Sequence, residues 1–402
     1  MDWLRSIYVI GKWKWVLRFG VCLVVAYLIL QNIDGRSKPS SSSGSCHFPA
    51  VFNFGDSNSD TGAVSAAFNR VLSPNGITFF GKPSGRYCDG RLIIDFIAEK
   101  LELPFLSAYL NSIGANFRNG ANFAASGCTI EPTNVRLCKE GFNPLTLDVQ
   151  LSQFEQFKQR TVELYNQAQS SPIKNILPRP EDFSKALYTL DIGQNDLNAG
   201  IISMTDEEIS KSVPSLIDRF AKAIEQLYQQ GARSFWIHNT GPIGCLPYIT
   251  ITFPPKPENV DENGCVKSYN KLAQEFNKQM EDRMSLLRNH LDNAMLVYVD
   301  IYTAKYSLIR EPKKHGFVDP HGYCCGHYGD YHVECGEKTM INGTEIHGTS
   351  CSNPPAYISW DGIHYSDAAN QWVAHKILDG SFSDPPISIA EACFKTSSKT
   401  LT

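Results

Sequence analysis

Ser57 stands in the run Gly55-Asp56-Ser57-Asn58-Ser59-Asp60-Thr61-Gly62, directly after the apolar stretch Ala50 to Phe54. A serine on a tight strand-to-helix turn can expose its oxygen at the top of a sheet, and the following helix would aim backbone N–H groups at a carbonyl under attack. A hydroxyl is a poor nucleophile until a base takes its proton. His364 suits that task because imidazole titrates near neutrality. Asp361, in Asp361-Gly362-Ile363-His364, can sit beside it on one turn, fix its tautomer and stabilise the imidazolium. Each motif also has a structural reading when taken singly: a polar turn that caps a helix at Ser57, and an aspartate N-cap for the final helix at Asp361.

Two more turns carry groups able to stabilise an oxyanion. In Gly193-Gln194-Asn195-Asp196 the Asn195 amide can donate, and in Gly120-Ala121-Asn122 a glycine lets a substrate approach a backbone N–H closely. Each is equally a plain turn when read alone. Gly76 to Lys82 spells the skeleton of a phosphate-binding loop, but Pro83 stands where a magnesium-binding Ser or Thr is required. Neither Gly-x-Ser-x-Gly nor His-Glu-x-x-His occurs.

Positioning such groups requires elements that end side by side. Strand-like runs are expected at Ala50 to Phe54, Asn122 to Ala125, Ala186 to Ile192, Ser234 to His238 and Met295 to Val299. Helical patterns are expected at Leu92 to Leu101, Leu147 to Gln169, Asp206 to Gln230, Val266 to Leu291 and Asp367 to Leu378. Alternating strands and helices predict a parallel sheet covered on both faces. Ligands then sit beyond the carboxyl ends of the strands, where the tight turns fall.

Length, charge and cysteines bound the rest. The chain has 402 residues, 42% hydrophobic composition and a net charge of -4, with no basic run, which excludes nucleic acid as a partner. Arg5, Lys12, Lys14 and Arg18 precede an apolar run from Phe19 to Leu30. That run admits two readings: a cleaved signal peptide, favoured by its shortness against the roughly 20 residues of a span, or an uncleaved membrane anchor with its cytoplasmic end first, favoured by the flanking positive charge. Residues 31–46 then form a flexible Ser-rich stem and 47–402 a single domain. With Cys22 in the apolar run, eleven cysteines remain, an odd number that predicts one free thiol. Cys245 and Cys265 can close one loop. Cys324, Cys325, Cys335 and Cys351 can make two bridges in another, although Cys324, Cys325, His327 and His332 also admit a zinc site of unusual spacing. Asn342-Gly343-Thr344 is a glycosylation sequon.

The blocks around Ser57, together with Gly90-Arg91-Leu92-Ile93-Ile94-Asp95-Phe96-Ile97, Gly120-Ala121-Asn122-Phe123-Ala124, Asp191-Ile192-Gly193-Gln194-Asn195-Asp196-Leu197, Gly241-Pro242-Ile243-Gly244-Cys245-Leu246-Pro247 and Trp360-Asp361-Gly362-Ile363-His364-Tyr365, resemble the plant GDSL esterase/lipase family of the SGNH hydrolases. The likeness runs from Phe48 to Val373. It implies a flavodoxin-like three-layer α/β/α fold with a central parallel sheet, and an esterase without metal or cofactor. By that resemblance Ser57 is the nucleophile, His364 the base and Asp361 its orienter. Gly120 and Asn195, with the Ser57 backbone N–H, are the oxyanion donors. Asn58 stands where the family name has Leu. The implied substrate is an ester, and the stem behind a possible anchor inclines the expectation towards acetyl groups on a cell-wall polysaccharide such as xylan, or on a glycoside. Lipases, acyltransferases and a silent carbohydrate-binding protein are the rivals on this fold. The implied locations are the Golgi membrane, through a type II anchor, or the cell exterior.

Overall fold

The computed structural model describes residues 45–134, 143–167 and 172–394. The compact unit Cys46–Thr402 carries every element below. The N-terminal apolar run lies outside the described residues; among the described residues no helix is long and apolar enough to cross a membrane.

Five parallel strands form the sheet: β1 (Val51–Gly55), β2 (Gly120–Asn122), β3 (Leu187–Asp191), β4 (Ser234–His238) and β5 (Met295–Val299). A hairpin follows, β6 (Lys338–Ile341) and β7 (Thr344–His347), then a two-residue strand β8 (Ser383–Asp384) antiparallel to β5. The order across the large sheet is β2-β1-β3-β4-β5-β8.

The five parallel strands are buried on both faces, and their apolar side chains divide by alternation. Phe52, Phe54, Tyr188, Leu190, Phe235, Ile237, Leu296 and Tyr298 enter one core, and Val51, Leu187, Trp236, Val297 and Val299 the other. Helices α1 (Ile93–Lys100), α2 (Leu147–Gln167), α3 (Gln194–Ser203), α4 (Asp206–Gln229), α5 (Lys267–Arg288), α6 (Ile301–Arg310) and α7 (Asp367–Ile377) supply the outer layers. α2, α4 and α5 pack on the first core and α1, α6 and α7 on the second, which makes the three layers. In α4, Thr205 and Glu208 form a capping box, and Ile209, Val213, Leu216, Ile217, Phe220, Ile224 and Leu227 recur at helical spacing. α6 escapes the sequence reading, although Asp300 caps it and Ile301, Ala304 and Leu308 carry its period.

Among the described residues four disulfides cross-link the domain: Cys46–Cys393, Cys245–Cys265, Cys324–Cys351 and Cys325–Cys335. The last two engage all four cysteines of the Gly-rich loop with one another, which removes the thiolates that zinc would need. Such cross-links mark a chain that matures in the secretory pathway or beyond it. Cys88 and Cys128 are buried free thiols, so the described residues hold two free cysteines rather than one.

Candidate active site

The Ser57 turn is held from three sides. Gly55 exchanges two hydrogen bonds with the buried Gln150 side chain, its N–H donating to Oε1 and its carbonyl accepting from Nε2, both 2.9 Å. A Cβ at Gly55 would sit 2.4 Å from the Asp191 carbonyl oxygen, so only glycine lets β1 and β3 end this close. The Asp60 carboxylate gathers the N–H groups of Gly62, Ala63, Val64 and Ser126. Beneath the turn, Thr189 donates to Asn53, Asn53 to Asn122, and Asn122 to the Ser59 carbonyl at 2.6 Å. This network is buried and leaves Ser57 at the carboxyl end of β1. No hydrogen bond joins the Ser57 hydroxyl to another described residue, and such contacts are commonly long before substrate binds.

Asp361 and His364 meet as their spacing predicts. His364 Nδ1–H donates to Asp361 Oδ2 at 2.6 Å, and the His364 and Ile363 backbone N–H groups donate to Asp361 Oδ1. The turn is tied down by Arg91, which pairs with Asp367 at the start of α7, and by Trp360 Nε1–H on Asn75. Ser366 caps α7, so the N-cap reading belongs to it and not to Asp361. With Nδ1 engaged, Nε2 is the nitrogen free to take a proton. Burial works against the charged imidazole; the charge and hydrogen bond of Asp361, with Asp56 behind them, outweigh it against Lys305, so the His364 pKa lies above the ordinary value. The Asp56 carboxyl is pushed up to about 7, by burial first and then by Asp191. A raised pKa keeps the imidazole protonated, and so unable to act as a base, to higher pH. kcat/KM is therefore expected to rise with pH with an apparent midpoint above about 6.5, a value belonging to the coupled groups rather than to one. A pH–rate profile flat from about pH 5 to 8 contradicts this.

Asn195 opens α3, directly after β3. Its Nδ2 donates one hydrogen to the Cys128 carbonyl at 2.8 Å, which fixes the amide and leaves its second hydrogen available. Asp196 anchors the same loop by accepting from the Ile130 and Glu131 N–H groups. Ser57 and Asn195 thus share one pocket, which the β2-β1-β3 strand order explains. β1 and β3 flank the point where the connections reverse direction, and there the sheet opens a crevice.

Gly120 is not in that crevice, which corrects the expectation from the sequence. It pairs with Val51, at the amino end of β1, whereas Ser57 follows the carboxyl end. Its N–H is already donated to the Phe117 carbonyl at 3.0 Å. Its φ is 107°, and a Cβ there would fall 1.8 Å from the Val51 carbonyl oxygen, so the glycine serves strand packing. The glycine at the correct end is Gly127, in the turn after β2, next to Ala125, whose N–H donates to the Gly55 carbonyl.

The pocket is lined by Asp56, Ser57, Asn58, Gln194, Asn195, and His364, joined by Gly241, Pro242, Leu246, Lys305, Ile363 and Tyr365, with a cavity volume of about 30 Å³. Sequence reasoning missed Lys305. Its only signal was a lysine placed one helical turn after Ile301, on the apolar stripe of α6. Also missed was an aromatic bank beside the histidine turn. Tyr248 donates its N–H to the Gly362 carbonyl, Tyr328 packs on Tyr248 and Tyr323, and His332 lies against Tyr328. Of the aromatics near the motifs in sequence, Trp360 is core, Tyr365 lines the pocket, and Phe79 and Phe80 cluster with Phe105.

The family model for GDSL-like lipase/acylhydrolase matches residues 51–377. A GDSL esterase/lipase of Arabidopsis thaliana is 50% identical, covering 87% of this chain and 90% of that one. A protein of Hevea brasiliensis named esterase is 48% identical over 89% of this chain and 92% of its own length. Alpha-L-fucosidase 3 of Arabidopsis thaliana is 48% identical over 89% and 97%.

Proposed function

The chain belongs to the GDSL-like lipase/acylhydrolase family and is a carboxylic ester hydrolase, and we propose that it releases short acyl groups, acetyl foremost, from carbohydrate hydroxyls. The observation that carries the acyl preference is the pocket. One water needs roughly 10–15 Å³ of such space, so about 30 Å³ admits only small groups and no long acyl tail. A long acyl tail would have to cover Asn58, Gln194 and Asn195 without replacing the hydrogen bonds water makes there.

In this reading His364 Nε2 takes the Ser57 hydroxyl proton as Oγ attacks the acyl carbonyl. Asp361 holds the imidazole by its Nδ1–H and stabilises the imidazolium. The Ser57 backbone N–H and the free Asn195 Nδ2–H receive the oxyanion, with the Gly127 turn beside them. Collapse of the tetrahedral intermediate breaks the bond to the leaving oxygen, which takes the proton back from Nε2. Water repeats the sequence on the acyl-enzyme and frees the acid and Ser57. Tyr248 and Tyr328 pack together beside the histidine turn, and in this reading a sugar ring of the leaving group stacks on them. A relative named for a carbohydrate-active enzyme is in keeping with a sugar-borne ester.

The N-terminal run would deliver the domain to the Golgi membrane as an anchor, or to the exterior after cleavage. Asn342 would carry a glycan, and it is exposed at the tip of the β6–β7 hairpin.

The test offers the protein acetylated xylan, acetylated pectin and simple esters from acetyl to palmitoyl. kcat/KM is expected to be highest for acetyl esters. A preference that climbs with chain length overturns the proposal in favour of a lipase, and acyl transfer to added alcohol in place of hydrolysis would mark a transferase.

A further inference from the structure

We propose that Lys305 is the specificity residue of this pocket, donating hydrogen bonds to a neutral hydroxyl that the leaving alcohol carries beside the esterified oxygen. The inference rests on the ester-hydrolase reading of the same site and deepens it. Lys305 projects from α6 and is only 7% exposed, yet it lines the pocket with Ser57 and His364. Lysines are almost never this buried unless paired. Among the described residues its Nζ makes no hydrogen bond and no ion pair. Nζ stands over the Tyr365 ring, 4.7 Å from its centre.

Three N–H donors without a protein acceptor are costly in a pocket wall unless water or a ligand oxygen meets them. The backbone opposite is shaped for the amine. A Cβ at Gly241 would lie 3.0 Å from Lys305 Cδ and 3.7 Å from Nζ, so a larger residue at 241 would crowd the stem. Gly241 in turn donates its N–H to Gln194 Oε1 at 3.1 Å, which leaves the NH₂ end of Gln194 as a second donor in the lining.

The charge balance selects a neutral oxygen. The charge of Asp191, and that of Asp56 when it is ionised, already act on Lys305, opposing the burial that lowers its pKa. An anionic substrate group would face those two carboxylates as well as the amine. A hydroxyl accepts from Nζ without that repulsion, and an alkyl group would cover the donors with nothing to receive them. The ligand class is therefore an acyl ester of a polyhydroxy alcohol.

The experiment compares two esters of equal size, 2-hydroxyethyl acetate and propyl acetate, on the full chain and on Lys305→Met, which keeps the stem and removes the donors. Rates are taken per active serine, titrated with a fluorophosphonate, so that misfolded material does not count. The wild-type ratio of kcat/KM, hydroxy ester over alkyl ester, is expected to exceed one and to fall about ten- to a hundredfold in the variant. Lys305→Gln keeps an N–H donor and is expected to recover part of the ratio; it also serves if the Met variant does not fold. A wild-type ratio at or below one overturns the inference. So does a variant that loses both esters equally, which would place Lys305 as a positioning residue acting through Asp56 and His364. The proposed acyl preference is separate: if only long-chain esters are cleaved, that proposal fails, and the same ratio read on hydroxyalkyl and alkyl esters of the preferred acid still decides the role of Lys305.

Discussion

Ser57→Ala is expected to lower kcat for ester hydrolysis by at least about 10⁴-fold, since removing the nucleophile of a Ser-His-Asp set leaves only the contribution of binding and the oxyanion donors. The turn should survive the change. Its shape is set by Gln150 on Gly55 and by Asp60 on the N–H groups of residues 62–64, and none of these contacts passes through the Ser57 hydroxyl. The variant should therefore unfold within about 1 kcal/mol of wild type and take up no acyl or phosphonate label. Activity near wild type in a folded variant would remove Ser57 from the mechanism. A collapse in stability would show instead that the hydroxyl is part of the buried network.

Asn195→Ala is expected to lower kcat by roughly 10²–10³, the usual cost of one oxyanion donor, with little change in KM. The split follows from where the bond is strongest, on the charge that develops in the transition state. The geometry sharpens the expectation. The Cys128 carbonyl already holds one Asn195 hydrogen, so the amide is oriented before substrate arrives and spends no binding energy on being placed. Steady-state kinetics on an acetyl ester decide it. A loss confined to KM would make Asn195 a substrate-binding group, and no loss would leave the oxyanion to the backbone.

Much of the sheet was legible because its parallel strands are buried on both faces and are mostly apolar, with few polar residues such as Asn53 and Thr189 among them. β4 and β5 lie where the sequence placed them, and the long helices agree to within three residues at their described ends. The short elements were not legible. β8 has two residues, and the β6–β7 hairpin has exposed or half-buried side chains, so neither has an apolar pattern to detect.

The chemistry divides along a similar line. What the sequence alone determined was whatever depends on neighbours along the chain. Asp361 and His364 are three residues apart and meet on one turn, and Ser57 follows a short apolar run that reads as a strand leading into a turn at Gly55. What lies far apart in sequence was decided by the tertiary structure. A glycine ahead of an asparagine looks the same at either end of a strand; only the Val51–Gly120 register reveals that Gly120 sits at the wrong one. The disulfide partners of Cys324 and Cys325 follow from how their loop folds back on itself, since four cysteines admit three pairings. Lys305 reads in sequence as an ordinary solvated lysine. It lines the pocket with Ser57 because α6 follows β5 at the carboxyl edge of the sheet, where residues from five separate segments converge.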